Sequence, residues 1–243
     1  MARVRGHLSV RILHIPHAYW PVIGGAERYC QRLSEELAAR GHQVRVVTAN
    51  VASPEAFYQL GIPPAGPPGE IHQGVEIVRI PFGGPLYRLG PSRQGPGRMA
   101  RALLRRELGR FQRRLAGEID AFRPEVVMTL PHLFANVRCV LDIHRRGSFP
   151  LVLVPLLHEA DPYWPFEELA AAFRRADGVV AATPHEAERL QNAYGVPADR
   201  VFLGGAGVDP RPDSRPSERR PRVLFLGRKA PSKGIDLLLA GME

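Results

Sequence analysis

The chain has 243 residues, 44% of them apolar, enough to bury the core of one large domain, or of one domain and a piece of another. No run of eighteen uncharged apolar residues occurs, and the basic N-terminus (residues 1–11) leads into a short strand. Both facts argue against a spanning helix or a signal peptide and for a cytosolic protein. The net charge of +9 is carried almost wholly by arginine, since lysine stands only at Lys229 and Lys233.

In chain order, strands are predicted over 10–15, 44–48, 75–80, 126–130, 151–155, 178–182, 200–203 and 223–226. Helical patterns fall between them, the arrangement of βαβ units winding a parallel sheet, so the fold class is α/β. After the first strand, Leu33 and Leu37 mark a helical stripe, and Gly41 stops that helix. Two stretches rich in proline and glycine, 54–69 and 83–97, read as long loops at the rim of the sheet. Cys30 and Cys139 lie on predicted helices without metal-type spacing and read as core thiols. Residues 209–221 (DPRPDSRPSERRP) have four prolines and no apolar stripe, which is linker composition. The predicted organisation is a domain over 1–209, a linker over 210–221, and the start of a second domain over 222–243.

Three constellations carry possible chemistry. The first is HAYWPVIGGAERYCQRLSEELAARGH, in which Gly24 and Gly25 stand where a loop turns into a helix at the carboxyl edge of the sheet. Glycines there allow close backbone approach, and a helix N-terminus offers free N–H groups to a phosphate or a sugar oxygen. A tight turn alone explains them equally well. The Gly-x-Gly-x-x-Gly fingerprint is absent and no ribose-binding acid follows strand two, which argues against a nicotinamide enzyme. Of the nearby histidines, His14 lies inside the strand as a core residue, while His17 faces the crevice. The second constellation is the pair Arg228 and Lys233, flanked by Gly227 and Gly234.

The third is the segment from Arg88 to Arg114, with nine arginines against the single acid Glu107. Met99, Leu103, Leu104, Leu108, Phe111 and Leu115 recur at helical spacing, so one stripe packs on the domain and arginine fills the other faces. That face is either simply solvated or docks on anionic phospholipid through residues such as Arg98, Arg101, Arg105 and Arg106. Docking would place the protein at the inner face of the cell membrane. Without interleaved aromatics, nucleic acid is not an expected partner. Thr183, Pro184 and Glu186 read as a helix cap.

The opening Gly-Gly-Ala-Glu-Arg, with its helix ending in Arg-Gly-His-x-Val-x-Val, resembles the start of the retaining glycosyltransferases of family 4, of GT-B fold. The tail Leu224-Phe-Leu-Gly-Arg-Lys-Ala-Pro-Ser-Lys-Gly is similar to that family's first strand and loop of the donor domain. Arg200-Val-Phe and Gly207-Val-Asp match its run before the domain linker, although Gly204-Gly-Ala replaces the usual Pro-Asn. The resemblance implies two Rossmann-like domains, the second truncated in this chain, and transfer of a sugar from a nucleotide-sugar donor to a sugar or lipid-linked acceptor. Arg228 and Lys233 would neutralise the departing diphosphate without a metal or other cofactor. His158, after the strand at 151–155, would lie by the reacting sugar, with His132 in a comparable place after the strand at 126–130. Gly24, Gly25 and His17 would line the cleft, which domain closure would free of water. The family's Glu-x7-Glu pattern is missing here, which predicts little or no transfer by this chain alone. A non-catalytic carbohydrate-binding or membrane-docking domain, and a sugar-phosphate epimerase, stand as alternatives.

Overall fold

The computed structural model describes residues 8–52, 63–82, 98–131, 135–144, 149–157, 166–207, 223–227 and 233–242. They fall into two compact units, Met1–Ala206 and Gly207–Glu243.

The first unit is built on an eight-stranded sheet. Its strands are β1 (Arg11–Pro16), β2 (Gln43–Asn50), β3 (Gly69–His72), β4 (Val75–Pro81), β5 (Val126–Leu130), β6 (Leu151–Leu153), β7 (Gly178–Ala181) and β8 (Val201–Leu203). Their order across the sheet is β3-β4-β2-β1-β5-β6-β7-β8, and every pairing is parallel except β3 with β4. The helices are α1 (Gly25–Ala39), α2 (Arg98–Phe122), α3 (Ala135–His144), α4 (Phe166–Arg175) and α5 (Pro184–Asn192). This is the doubly wound Rossmann-like sheet expected from the alternation of elements.

Strand side chains divide by the two-residue period of a pleated strand. Leu13, Ile15, Val47, Val127, Leu151 and Leu153 join one core with Phe111, Leu115 and Ile119 of α2, Val140 of α3, Phe173 of α4 and Leu190 of α5. Ile12, Val44, Val46, Ile77, Met128 and Val154 join the other with Cys30, Leu33 and Leu37 of α1. Both faces of the central strands are thus covered, which is why they read as nearly continuous apolar runs. The apolar stripe of the arginine-rich helix is the buried one, as its spacing predicts. Both cysteines are free and buried, and burial pushes each thiol up to about 12, so they are core thiols.

The reversal of winding fixes where a ligand crevice lies. β1 pairs with β2 through Ile12 and Val44 and with β5 through Ile12 and Val126. The chain leaves β1 toward one edge and later returns to β5 on its other side, so the carboxyl ends of β1 and β5 form the switch point.

Two differences from the sequence reading stand out. The hairpin strand β3 falls at the end of a stretch read as loop, because its turn is Gln73-Gly74 rather than a more familiar Asn-Gly. Both turn residues have positive φ (49° and 78°), as a type I′ hairpin demands. The strand predicted at 223–226 does not form. Val223, Leu224 and Leu226 are 65–91% exposed, and an extended segment becomes a strand only with a partner to complete its ladder. In the second unit the regular element is the short helix α6 (Ile235–Ala240), preceded by Gly234 at φ 71°.

Candidate functional site

The connection from β1 to α1 brings three of the expected residues together. His17 is buried, and its Nε2 lies 2.8 Å from Oε1 of Glu27, a buried carboxylate in the first turn of α1. The carboxylate folds back over the helix start. A Cβ added to Gly24 would lie 2.1 Å from Glu27 Oε2, so glycine is needed there for close packing rather than for its φ of −172°. Gly25 is exposed, and a Cβ on it would meet nothing within 4 Å. The two glycines therefore differ: Gly24 makes room for the protein's own carboxylate, while Gly25 leaves open space at a helix end. His17 does not turn its ring to the crevice as expected. It is 2% exposed and orients Glu27.

Glu27 changes the electrostatics of this helix end. The N-terminus of α1 carries partial positive charge, and the Glu27 carboxylate already offsets part of it. A second anion would meet that carboxylate, whereas a neutral hydroxyl would not.

A buried arginine holds the loop from the other side. Arg79 projects from β4 at 2% exposure; its Nη2 donates to the Trp20 carbonyl and to Glu70, and its Nη1 to the Pro67 carbonyl at 3.0 Å. The Trp20 ring stacks on His72 of the hairpin with centroids 4.5 Å apart. The sequence signal for Arg79 is a charge inside the apolar strand VEIVRIP, at a position that faces inward. At the switch point itself, Thr129 Oγ1 and Asn136 Nδ2 both donate to the Ile15 carbonyl, at 2.7 and 3.0 Å. They pin the end of β1 to β5 and to the start of α3.

Farther along the same edge, Leu156 and Leu157 follow β6, and Leu156 holds φ 52°, a strained setting for a side chain of its size. Glu186 ties this segment to β7, its Oε1 accepting from the Leu157 N–H at 2.8 Å and its Oε2 from the Ala182 N–H at 2.7 Å. Thr183 Oγ1 accepts from the Glu186 N–H at 3.1 Å, so Thr183 caps α5 as its sequence predicts. The carboxylate, however, serves two strand ends. Leu156, Leu157, Thr183, His185 and Glu186 line a concavity of about 470 Å³. The glycine at 204, where the resembling family has a polar pair, packs so closely on β7 that a Cβ would lie 2.8 Å from Val180 Cγ1.

His132, His158 and Arg228 lie outside the described residues. Lys233 is exposed just before α6 in the second unit. On α2, Arg105 and Arg106 are exposed, while the side chains of Arg98 and Arg101 fall outside the description. Among the described residues, no group of His, Cys, Asp or Glu gathers to hold a metal ion, and no helix is long and apolar enough to cross a membrane.

The sequence model of Glycosyltransferase Family 4 matches residues 23–211. The chain belongs to that family. The match begins beside Gly24 and Gly25 and covers every strand from β2 to β8. Among solved structures, this family 4 chain is similar to a sucrose-phosphate synthase from Thermosynechococcus elongatus, at 18% identity and TM-score 0.53, with 82% of this chain and 90% of that one covered. It is similar to a glycosyltransferase from Rickettsia africae at 11% identity and TM-score 0.51, covering 84% of this chain and 44% of that one. HepE from Anabaena in complex with UDP-glucose is similar at 13% identity and TM-score 0.50, covering 82% and 44%. The chain thus spans less than half the length of the last two proteins. At such identities the likeness concerns the fold, which is the Rossmann-like half of a GT-B protein. Comparison with curated proteins found no match.

Proposed function

We propose that this chain is the acceptor-side portion of a retaining glycosyltransferase that moves a sugar from a nucleotide-sugar donor to a sugar or lipid-linked acceptor. The observation that carries the reading is the β1–α1 turn, where Gly25 leaves open space beside a fixed His17–Glu27 pair at the switch point. Such a helix end, already bearing a carboxylate, suits a sugar hydroxyl better than a phosphate. The match to the family from residue 23 onward supports the sugar as ligand class.

In this reading His158 and His132 approach the sugar from the loops after β6 and β5, and Arg228 with Lys233 neutralises the donor diphosphate, whose charge grows as the bond to the sugar breaks. The arginine face of α2, with Arg98, Arg101, Arg105 and Arg106, attaches the protein to the cytoplasmic face of an anionic membrane, each arginine near the surface contributing about 1 kcal/mol. The 44% coverage of the two glycosyltransferase neighbours suggests that donor binding draws on further residues. The 243-residue chain alone then turns over slowly or not at all.

The test separates binding from turnover. Titrating the chain with an alkyl glucoside while recording amide spectra should shift the signals of Gly24, Gly25 and Ala26, and Gly25→Val should abolish the shifts without lowering the melting temperature. Shifts that survive Gly25→Val, or none at saturating glycoside, would overturn the assignment of this turn.

A further inference from the structure

The helix α2 passes the end of β4 and leaves a cleft of about 390 Å³, lined by Pro81, Glu107, Arg110, Arg113 and Arg114. Its charges are unequal. Glu107, 8% exposed although it sits on an arginine-rich helix, accepts from Arg110 Nη1 at 2.6 Å. That pair satisfies one carboxylate and one guanidinium. Arg113 and Arg114 are exposed, and among the described residues neither has an acidic partner. Exposed arginines on a flat helix face are ordinary, but these share a concave wall with a guanidinium held in place by a buried carboxylate. Pro81 sets the cleft at the carboxyl end of the sheet, the edge that also carries the His17–Glu27 turn.

A guanidinium presents a planar fork of donors that fits the paired oxygens of a phosphoryl group, and two unneutralised forks favour a ligand of at least two negative charges over a single carboxylate. We propose that this cleft is a binding site for a phosphate or diphosphate group, engaged by Arg113 and Arg114 and walled by the Arg110–Glu107 pair. Such a group belongs either to a soluble phosphorylated ligand or to a membrane headgroup. The site is distinct from a diffuse attraction of the helix to an anionic surface, because it depends on two named side chains. It does not rest on sugar transfer.

Calorimetric titration of the full chain with inorganic pyrophosphate at low salt tests the site. Saturable one-site binding is expected, weakened at least about tenfold in the R113Q/R114Q double variant and only a few-fold in R113K/R114K, which keeps the charge and loses the fork. R40Q, a change at the far end of α1, should alter the affinity by less than about twofold. Failure to saturate, or an equal loss in R40Q, would overturn the site. A second arm adds phosphatidylcholine vesicles with and without phosphatidylglycerol. Competition between pyrophosphate and the anionic vesicles identifies a headgroup as the source, and its absence a soluble ligand; either result keeps the site. Pyrophosphate binding by a chain that ignores alkyl glucoside would sink the sugar assignment and leave this one standing.

Discussion

His14 shows how burial decides a histidine's chemistry. Its Nδ1 lies 2.7 Å from Ser34 Oγ, and because the Ser34 hydroxyl donates to the Cys30 carbonyl at 2.7 Å, the imidazole is the donor in the first contact. Burial lowers its pKa from 6.5 to about 4. The unfolded chain therefore takes up a proton near 6.5 and the folded chain only near 4, so the unfolded state holds more protons between those values. Stability is full above 6.5, falls as pH drops through that window at up to about 1.4 kcal/mol per pH unit, and levels off below it. Urea midpoints at pH 7 and pH 5 check the slope, and His14→Asn should flatten it. At the neighbouring turn, Gly24→Ala should cost about 1–3 kcal/mol by pushing Glu27 off His17, whereas Gly25→Ala should change stability by about 0.5 kcal/mol or less. Equal losses for the two substitutions in urea melts would contradict the open space at Gly25. The glycines are legible in the sequence as a pair; their different reasons are not, because the deciding neighbour is a side chain folded back from the next turn.

Among the elements, the central strands were the most readable. The strand predicted over 126–130 forms over Val126–Leu130, since its apolar run is buried between β1 and β6. The Schellman closure of α1 was also legible in Gly41, which takes φ 91° while the His42 N–H donates to the Leu37 carbonyl at 3.2 Å. The hairpin was hidden because glutamine is a poor advertisement for a left-handed residue. Gln73→Asn, a better fit to that conformation, should stabilise the domain by up to about 1 kcal/mol, read as a rise in urea midpoint. Arg79 was hidden for another reason: its partners are a carbonyl 59 positions away and a carboxylate on the adjacent strand, and no local pattern announces either. Arg79→Met should cost about 3 kcal/mol by leaving Glu70 and two carbonyls without their donor. It should also change the fluorescence of Trp20; a melt like that of the wild type would refute the role.

At the scale of the molecule, the two hydrophobic cores consist wholly of residues before 207. The second unit exposes Leu224, Leu226, Leu237, Leu239 and Met242, each more than half accessible. Deleting 207–243 should therefore leave the melting temperature of the remainder within a few degrees of the full chain and improve its solubility, since exposed apolar side chains favour association. A collapse of the melting transition would mean that the core extends into the second unit. The boundary was legible in the prolines of 209–221, whereas the failure of 223–226 to form a strand was not, because an apolar run carries no record of its hydrogen-bonding partner.

The Arg79 support also limits how this fold can be recombined. The loop that shapes the switch point belongs by sequence to the first βαβ segment, yet it hangs from a hairpin that follows that segment. A chimera that grafts residues 11–50 from a relative would import the turn without its anchor. Crossover points before β1 and after β4 keep both, so the exchangeable block at this edge is residues 11–82.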